Sequence, residues 1–482
     1  MPRAPRRMGS ADVLWLTMDR PNNLMVVVSV VLLGSVPDWD RVRRLLLTRL
    51  VDPYPVFSQR PKRSGRVLGR YRWEDDPDFD LERHVRRATL SGRGTPAQAD
   101  TELQAYIEEQ LSRPFDRTRP LWEAHLVDGH GSGAALVFRS HHALADGIAL
   151  TRVLLGLTED DGGVPGDLEG PAADTDLSTL PLGVPATTGP VSSALRLARV
   201  TTRAAWARLR DKGSRAVVRD AASLALRTGQ VVSDLLLTTS PPSAVGGVPG
   251  RAKRVVWTQP VPLAGLKGVG RLVGATLNDV LVGAVAGALH DYQHEHGQPP
   301  ADLVTMVPVN VRPLDEPLPA ELGNRFALVF LRLPSGDATP LGRLALAKSR
   351  MDWLKASPEA ALTFALISVI GRFPATIQRR VVDFFADKAI GVTTNVAGPR
   401  RVRHLAGVPV TGVLGWVPGS GRHTLGFCIV TYDDAVRIGI MGDESVVPDP
   451  EALLAALEDG LSTLDRIGTD SRTAPRRRRP RS

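Results

Sequence analysis

The chain has 482 residues, of which 43% are hydrophobic, and it carries a formal net charge of +9. This length is sufficient for two or three domains, and this composition excludes a largely disordered chain. Cys428 is the only cysteine, which excludes a disulfide framework and a thiolate zinc site and favours a reducing compartment, the cytoplasm.

The positive charge favours an acidic partner, but the pattern of basic residues does not indicate nucleic acid. No zinc-finger spacing, helix-turn-helix pattern or RNA-binding aromatic strand accompanies it. The basic N-terminus, MPRAPRRMGS, is not followed by the apolar segment of a secretory signal. The nearby apolar stretch 24–33 is much shorter than the ~20 residues of a membrane-spanning helix. We therefore expect no nucleic-acid partner and no helix crossing a membrane.

The first half of the chain, 8–157, predicts a mixture of strands and helices. The Val-rich stretch 24–33 is typical of a buried strand. Leu103, Ile107 and Leu111 recur every four residues, which predicts an amphipathic helix. The segments LWEAHLVDG and GAALVFRSHH predict two strands joined by a glycine-rich turn. The next segment, DGIALTRVLLGL, predicts a helix capped by Asp146.

Residues 158–240 separate two halves. The stretch 158–193 is rich in Gly, Pro, Asp and Thr and predicts a long flexible linker. The stretch 194–219 mixes arginines with Leu, Val and Trp206, which fits either a helix lying on an anionic membrane surface or a helix packed on the protein with a solvated basic face. The final residues, 467–482, predict a basic disordered tail, for which lipid contact stays open.

The second half, 241–466, again mixes strands and helices. The sequence predicts, in chain order, an apolar helix (TLNDVLVGAVAGALHDY), two central strands (LVTMVPVNVRP and RFALVFLRLP) and a hairpin (LGFCIVTYDDAVRIGIMGD). A closing helix that starts at Pro450 is predicted from PDPEALLAALEDGLSTL. Because both halves have the same mixed character, the sequence predicts an α+β fold whose two halves face each other across a cleft.

The segment SHHALADG, 140–147, is the strongest candidate for chemistry. A metal site is disfavoured, because neither HExxH nor a two-histidine-one-carboxylate spacing is present. In a structural interpretation, Asp146 caps a helix and the two histidines pack at the end of a strand. In a catalytic interpretation, one imidazole with an ordinary pKa of ~6.5 is neutral at physiological pH and accepts a proton from a hydroxyl. No G-x-S-x-G segment is present, which favours direct attack by a substrate hydroxyl over an acyl-enzyme.

The segment HHALADG fits the HHxxxDG signature of the superfamily that contains chloramphenicol acetyltransferase and the condensation domains of peptide synthetases. The wider chain, from about residue 8 to 466, resembles the bacterial bifunctional wax ester synthase/diacylglycerol acyltransferase family. The further segments that carry the resemblance are RPLW, TLNDV, VPVNVR, GNRFALVFLRLP, TTNVAGPR and VTYDDAVRIGIMGDESVVPDP, in the family's order. The resemblance implies two chloramphenicol acetyltransferase-like halves, each a mixed sheet flanked by helices.

The resemblance also implies roles for individual residues. It makes His142 the general base and gives Asp146 the task of holding its loop. The residues implied to support the active site are His141, Gly147, Asn278 and Asp279. Of these, Asn278 and Asp279 would shape the wall contributed by the second half, although Asn278 could equally be a helix N-cap. Residues that bind the substrate are not indicated.

The implied activity is acyl transfer from acyl-CoA to diacylglycerol, giving triacylglycerol, or to a long-chain alcohol, giving a wax ester. Acyl-CoA is then a co-substrate, and neither a metal nor another cofactor is expected. The implied location is cytoplasmic, with peripheral association with the inner membrane face or with lipid inclusions. The acceptor stays open, because Met25 is followed by Val26 where family members often carry Met-His.

Two alternatives remain at this stage. One is an acyltransferase of the same fold that acts on a polyketide or glycolipid hydroxyl. The other is a non-catalytic lipid-binding homologue, which the intact histidine motif disfavours. A thiol-release assay with a long-chain acyl-CoA and diolein separates catalysis from binding alone.

Overall fold

The computed structural model describes residues 4–65, 71–91, 95–160, 233, 240–310 and 317–473. Most of the predicted linker, the basic stretch 194–219 and the arginine-rich end 474–482 therefore lie outside the described residues.

Sixteen strands and ten helices of more than one turn form the described part of the chain. The strands are β1 (Arg6–Arg7), β2 (Val26–Leu33), β3 (Gln59–Arg63), β4 (Tyr71–Asp75), β5 (Val85–Thr89), β6 (Trp122–His130), β7 (Gly133–His141), β8 (Lys253–Trp257), β9 (Val261–Pro262), β10 (Leu303–Asn310), β11 (Phe326–Leu333), β12 (Gly391–Ala397), β13 (His404–Leu405), β14 (Val408–Trp416), β15 (Leu425–Tyr432) and β16 (Ala435–Asp443). The helices are α1 (Ser10–Met18), α2 (Trp39–Leu46), α3 (Pro96–Ser112), α4 (Gly147–Gly156), α5 (Leu263–Val273), α6 (Leu277–Glu295), α7 (Pro340–Ala356), α8 (Glu359–Ile370), α9 (Ala375–Ala386) and α10 (Pro450–Thr473). Shorter helical segments are Leu47–Val51, Pro55–Ser58 and Leu81–Arg83.

A mixed six-stranded sheet forms the centre of the first half, in the order β13-β14-β2-β7-β6-β5. Only β5 and β6 run parallel within it. Strand β2 is buried on both faces, which explains its nearly uniform Val and Leu content. Its even-numbered residues pack toward α3, and residues such as Val27 and Val31 pack in the cluster that includes α1, α2 and α4.

A seven-stranded sheet forms the centre of the second half, in the order β11-β10-β12-β15-β16-β8, with β9 also paired to β16. Strands β10, β12 and β15 are parallel neighbours, and helices α5, α6, α7 and α10 share a core cluster with the sheet. The prediction that β11 is a central strand is wrong, since it lies at the sheet edge. Its apolar sequence is explained by α8, which packs on it, and the Glu359 carboxylate accepts a hydrogen bond from the exposed-edge N–H of Phe330 at 2.7 Å.

A three-stranded antiparallel sheet, β1-β4-β3, completes the first half. The predicted helix α3 is confirmed, and Leu103, Ile107 and Leu111 are its buried stripe. It begins with a capping box in which Thr95 and Gln98 exchange hydrogen bonds. Within the described ranges no single helix is both long and apolar enough to cross a membrane.

The two halves are joined by a strand that changes sheet. Strand β14 comes from the second half of the chain but pairs with β2 of the first sheet, from Val410 to Trp416. The indole N–H of Trp416 donates to the carbonyl of Ile440 in the second sheet at 3.2 Å, and its ring packs edge-on against Trp257. Strand β14 therefore links the halves, by backbone pairing to the first sheet and by the Trp416 side chain to the second.

The ends of the predicted linker and tail are more ordered than the sequence indicates. Thr158 and Glu159, where the sequence places the start of the flexible linker, are buried, and Glu159 exchanges backbone hydrogen bonds of 2.7 and 2.8 Å with His404. The Glu159 carboxylate also forms ion pairs with Arg41 and Arg49. At the other end, α10 continues to Thr473, beyond residue 466 where the sequence places the end of the second half.

Helices α5 and α10 cross at a contact that depends on glycine. A β-carbon added at Gly268 would lie 2.6 Å from the carbonyl oxygen of Gly468, which is closer than real contacts allow. A β-carbon at Gly460, elsewhere on α10, would meet nothing within 4 Å. The two positions therefore form a matched pair for testing this crossing.

We expect Gly268→Ala to lower the free energy of unfolding by ~1–3 kcal/mol, because the helices must move apart. Gly460→Ala should leave stability unchanged or raise it by up to ~1 kcal/mol, since alanine is the better helix former. Thermal melting of the two variants measures the difference. Equal melting temperatures would show that the crossing is not set by glycine.

Candidate active site

His142 lies where β7 leads into α4, at a cleft between the two halves. The cleft encloses about 780 Å³, counting its open mouth. Its first-half side includes Trp15, His142 and Gly147, and its second-half side includes Phe326 and His423. The remaining lining side chains are mostly apolar: Ile148, Met306, Pro308, Val309, Leu328, Val392, Val396, Val417 and Pro418, with Asp146, Thr394, Asn395 and Ser420 as the polar ones.

The ring of His142 is oriented by a chain of hydrogen bonds from Asp12 through Asn324, which we call the relay and which the sequence did not indicate. Its Nδ1 lies 3.1 Å from Oδ1 of Asn324. The amide nitrogen of Asn324 donates to Oδ1 of Asp12 at 2.9 Å and to the His142 carbonyl at 2.8 Å. Because both of those partners are acceptors, the amide orientation is determined, and Oδ1 of Asn324 must accept from Nδ1–H of His142. Nε2 of His142 then carries the lone pair, and no described group hydrogen-bonds it.

The Asp12 carboxylate supports this relay from α1. It is buried, and its Oδ1 also accepts from the backbone N–H of Asn324 at 2.9 Å. Burial raises the pKa of Asp12 above its ordinary value, while the hydrogen bonds from Asn324 and Gly9 partly oppose that shift. The segment GNRFALVFLRLP, which contains Asn324, is part of the family resemblance, but it does not indicate that Asn324 bonds to Asp12, more than 300 residues away.

Aromatic side chains enclose the His142 ring. The Trp15 ring stacks on it with centroids 4.2 Å apart, and Phe326 lies 6.1 Å away. This burial lowers the pKa of His142 from its usual value near 6.5 to about 4, despite the opposing effects of its own carbonyl, Asp146 and Asn324. The imidazole is therefore neutral at pH 7 and available to accept a proton.

His141 faces away from the cleft. It is fully buried, its Nδ1 accepts from the backbone N–H of Ala143 at 3.0 Å, and its Nε2 faces the Asp19 carboxylate at 3.4 Å. Burial opposes ionisation of Asp19, but the facing His141 imidazole and hydrogen bonds from the Met25 backbone and Arg117 together hold its pKa at about 2. His141 therefore fastens the loop to α1, whose end lies at Asp19.

Asp146 and Gly147 have different roles. Asp146 is the N-cap of α4, because one carboxylate oxygen accepts from the N–H of Ala149 at 2.9 Å. The other oxygen accepts from the N–H of Arg325 at 3.0 Å, which ties the His142 loop to the second half. A β-carbon at Gly147 would meet nothing within 4 Å, so the turn does not require glycine there, and its small size instead leaves room in the cleft.

Asn278 and Asp279 are not among the described cleft-lining residues. The N-cap of α6 is Thr276, not Asn278, and Asp279 completes its capping box by accepting from the Thr276 N–H and hydroxyl, each at 2.8 Å. Oδ1 of the buried Asn278 accepts from Asn395 at 2.9 Å, and Asn395 does line the cleft. Asn278 is thus one residue removed from the cleft, and Asp279 stabilises the helix end.

A second, mostly apolar cavity of about 570 Å³, counting its open side, adjoins the cleft. It shares Val396 with the cleft and follows the later turns of α4, where Thr151, Leu154 and Leu155 line it. Cys428, the single cysteine, lines its wall and is buried, which raises the pKa of the thiol to about 12. The further lining residues are Ser29, Val31, Thr158, Arg403, Val410, Val413, Leu414, Gly415, Val430 and Tyr432.

His423 is a second cleft histidine that the sequence did not single out. Its Nδ1 accepts from the N–H of Ser420 at 3.1 Å, and its burial lowers the pKa to about 4. The nearby backbone of Ala386, the last residue of α9, partly opposes that shift. Among the described residues, no group of three or more His, Cys, Asp or Glu side chains is placed to hold a metal ion.

Solved structures share this architecture. A wax ester synthase/diacylglycerol acyltransferase from Marinobacter aquaeolei VT8 superposes with a TM-score of 0.64 at 23% identity, covering 96% of this chain and 100% of that one. The first condensation domain of the calcium-dependent antibiotic synthetase superposes with a TM-score of 0.59 at 18% identity, covering 97% and 98%. The predicted two-lobed, chloramphenicol acetyltransferase-like fold is therefore confirmed.

Sequence comparison gives the family. The model of the wax ester synthase/diacylglycerol acyltransferase catalytic domain matches residues 8–281, and that of the corresponding C-terminal domain matches residues 322–465. The protein named probable diacylglycerol O-acyltransferase tgs1 of Mycobacterium tuberculosis is 28% identical over 471 residues, which is 95% of each chain. The chain therefore belongs to the wax ester synthase/diacylglycerol acyltransferase family of acyltransferases.

Proposed function

We propose that this acyltransferase moves an acyl group from acyl-CoA to the hydroxyl of diacylglycerol, with His142 as the general base. The observation that carries the proposal is the relay from Asp12 through Asn324 to Nδ1 of His142, which leaves the basic Nε2 to the cleft. A histidine held in one tautomer by a hydrogen-bonded partner is the usual form of a catalytic base.

The proposed reaction has two steps. Nε2 of His142 takes the hydroxyl proton of the acceptor as its oxygen attacks the thioester carbonyl carbon, and a tetrahedral intermediate forms. The intermediate collapses, the C–S bond breaks, and the imidazolium returns the proton to the departing CoA thiolate. The products are an ester and CoA, and His142 is neutral again.

The low pKa of His142 has a cost and a benefit in this mechanism. A pKa of about 4 keeps nearly every molecule in the neutral form at pH 7, but it also makes the imidazole a weak base. The dipole of Asn324, held by the Asp12 carboxylate, stabilises the imidazolium as it forms. In this mechanism the oxyanion of the intermediate is stabilised by the hydroxyls of Thr394 and Ser420, which line the cleft.

The second cavity provides a place for the acyl chain of the donor. It is apolar, it adjoins the cleft at Val396, and it follows α4 away from His142. From Gly147 to Leu155 the helix rises by ~12 Å, which gives room for a chain of many methylenes. In this proposal the thioester lies at His142 and the chain extends toward Cys428.

The acceptor is proposed from the relatives. The protein named tgs1 is a diacylglycerol O-acyltransferase by its name and aligns with 95% of this chain, which supports diacylglycerol. Long-chain alcohols are the second acceptor class, supported by the wax ester synthase part of the family description. Acyl-CoA is a co-substrate, and the proposed chemistry needs no other cofactor.

His142→Ala should lower kcat for thiol release from palmitoyl-CoA with diolein by ~10²–10⁴-fold, because the proton acceptor is lost. His141→Ala is the matched control at the neighbouring imidazole. It should lower the melting temperature, since a buried side chain and its bond to Ala143 are lost, but it should cost less activity. Near-normal turnover by a folded His142→Ala protein would refute the assignment of the base.

The pH dependence should report the buried base. With a pKa of about 4, His142 stays neutral as the pH falls, so kcat/KM should be level down to about pH 5 and decline only below it. Asn324→Asp places a carboxylate beside the ring, which favours the imidazolium, and should move the acid limb upward by ~1 pH unit or more. Circular dichroism at each pH separates titration from unfolding. An acid limb near ~6.5 in the parent protein would contradict a buried base.

Cys428→Phe should shift the preferred donor toward shorter acyl chains, because the larger ring fills the second cavity. Each methylene that no longer finds an apolar site weakens binding by about fourfold. The measurement is the ratio of kcat/KM for palmitoyl-CoA to that for octanoyl-CoA, in which any general loss of active protein cancels. Cys428→Ala is the control and should not lower the ratio. An unchanged ratio in Cys428→Phe would place the acyl chain elsewhere.

A further inference from the structure

Helices α8 and α9 and the turn between them carry an unusual concentration of exposed apolar side chains. Of the twelve exposed large hydrophobic residues among the described ones, four fall between residues 369 and 384. These four, Val369, Phe373, Ile377 and Phe384, are each 42–48% exposed. Single exposed apolar residues are ordinary, but a cluster that includes two phenylalanines indicates an interaction surface.

Basic residues border this cluster. Arg372 and Arg380 are exposed, and within the described part of the chain neither makes an ion pair. Lys388 places its ammonium over the Phe384 ring, 4.4 Å from the centroid. Two acidic residues lie at the end of α9 itself: Asp383, which pairs with Arg20 at 2.7 Å, and the C-cap Asp387, which has Arg422 beside it. We call this surface the docking face: Val369, Phe373, Ile377 and Phe384 with Arg372 and Arg380.

A continuous row of apolar side chains leads from the docking face to His142. On β11, residues 326, 328 and 330 point to one side of the strand. Phe326 and Leu328 line the cleft, and the Phe330 ring lies 6.4 Å from that of Phe385. Phe385 in turn packs edge-on against Phe384 of the docking face, at 5.2 Å.

The docking face is firmly connected to the catalytic relay. Helix α9 is tied to α1, which carries Asp12 and Trp15, by two hydrogen bonds at Thr17: its hydroxyl donates to Gln378 at 2.5 Å, and its carbonyl accepts from Arg379 at 2.9 Å. Helix α8 ends against the same helix, because a β-carbon at Gly371 would lie 2.0 Å from the carbonyl oxygen of Ser10. The orientation of the docking face therefore fixes the orientation of the cleft.

We propose that the docking face inserts its apolar side chains into an anionic lipid surface and that the acceptor reaches His142 along the row Phe330–Leu328–Phe326. Apolar side chains between exposed arginines are the combination that binds an interfacial layer of lipid. The insertion into lipid rests on the docking face alone, and the route of the acceptor to His142 rests also on the proposed function. The acceptor is insoluble in water, so its entry from lipid onto an apolar row avoids exposing its chains to solvent.

A label at one position tests insertion without disturbing the fold. Because Cys428 is the only cysteine and is buried, Phe373→Cys introduces a single accessible thiol for a polarity-sensitive fluorophore. Leu272→Cys, on α5 and 55% exposed, is the matched control. With vesicles of phosphatidylglycerol and phosphatidylcholine, emission from residue 373 should shift to the blue, and emission from residue 272 should not.

Substitutions test the energetic contribution of the docking face. The triple variant Phe373→Ser, Ile377→Ser and Phe384→Ser should bind these vesicles at least ~10-fold more weakly. The control triple variant, Leu272→Ser, Leu341→Ser and Leu346→Ser, removes comparable exposed side chains elsewhere and should bind as the parent does. Arg372→Gln and Arg380→Gln should each weaken binding about fivefold at low salt, and only on anionic vesicles.

Three results would overturn the proposal. In one, the full chain binds vesicles but the label at residue 373 does not respond, which would place docking elsewhere, for example at 194–219. In another, the label at residue 373 is already in an apolar environment without lipid and does not change, which would mean that another part of the chain covers the face. In the third, the full chain does not bind the vesicles. If the label responds but no thiol is released with any acceptor, docking is supported and the proposed acyl transfer fails.

Discussion

The geometry around His142 depends on one short loop of the second half that binds two buried carboxylates of the first. Asn324 donates its backbone and side-chain N–H groups to Asp12, and the next residue, Arg325, donates its backbone N–H to Asp146. Buried carboxylates require such donors, because an unpaired charge inside a protein is strongly destabilising. The same contact that satisfies Asp12 orients Asn324 toward His142, so the contact that joins the halves also orients the His142 ring.

The rest of the architecture holds that contact in register. Strand β14 leaves the second half, pairs with β2 beside β7, and still bonds to β16 through Trp416. The His142 loop follows β7 directly, so the paired strands fix its position relative to both sheets. The backbone N–H of His142 adds a bond of 2.8 Å to the carbonyl of Met25, just before β2. A hinge between the halves at this point would break both the sheet and the relay.

In the proposed mechanism, the low polarity of the cleft suits the substrates but opposes the positive charge that proton transfer creates on His142. An apolar lining accommodates acyl chains, and the same burial lowers the pKa of His142 to about 4. The relay through Asn324 moderates this conflict, since it offers the forming imidazolium an oriented dipole without placing a full negative charge beside it. A carboxylate bonded directly to Nδ1 would raise the pKa of His142 more than the Asn324 amide does, but it would add a second buried charge near Asp12.

The sequence by itself predicted several of the elements and singled out His142 as the candidate base. Amphipathic spacing in α3, the Val-rich run of β2, the cap at Asp146 and the HHALADG segment are local patterns, and each depends on residues within a few positions of one another. Tertiary structure alone decided which groups surround His142, because Asp12, Trp15 and Asn324 each lie more than 100 residues from it along the chain. It also placed β11 at an edge and β14 in the other half's sheet, since periodicity reports whether a strand is buried but not which strand lies beside it.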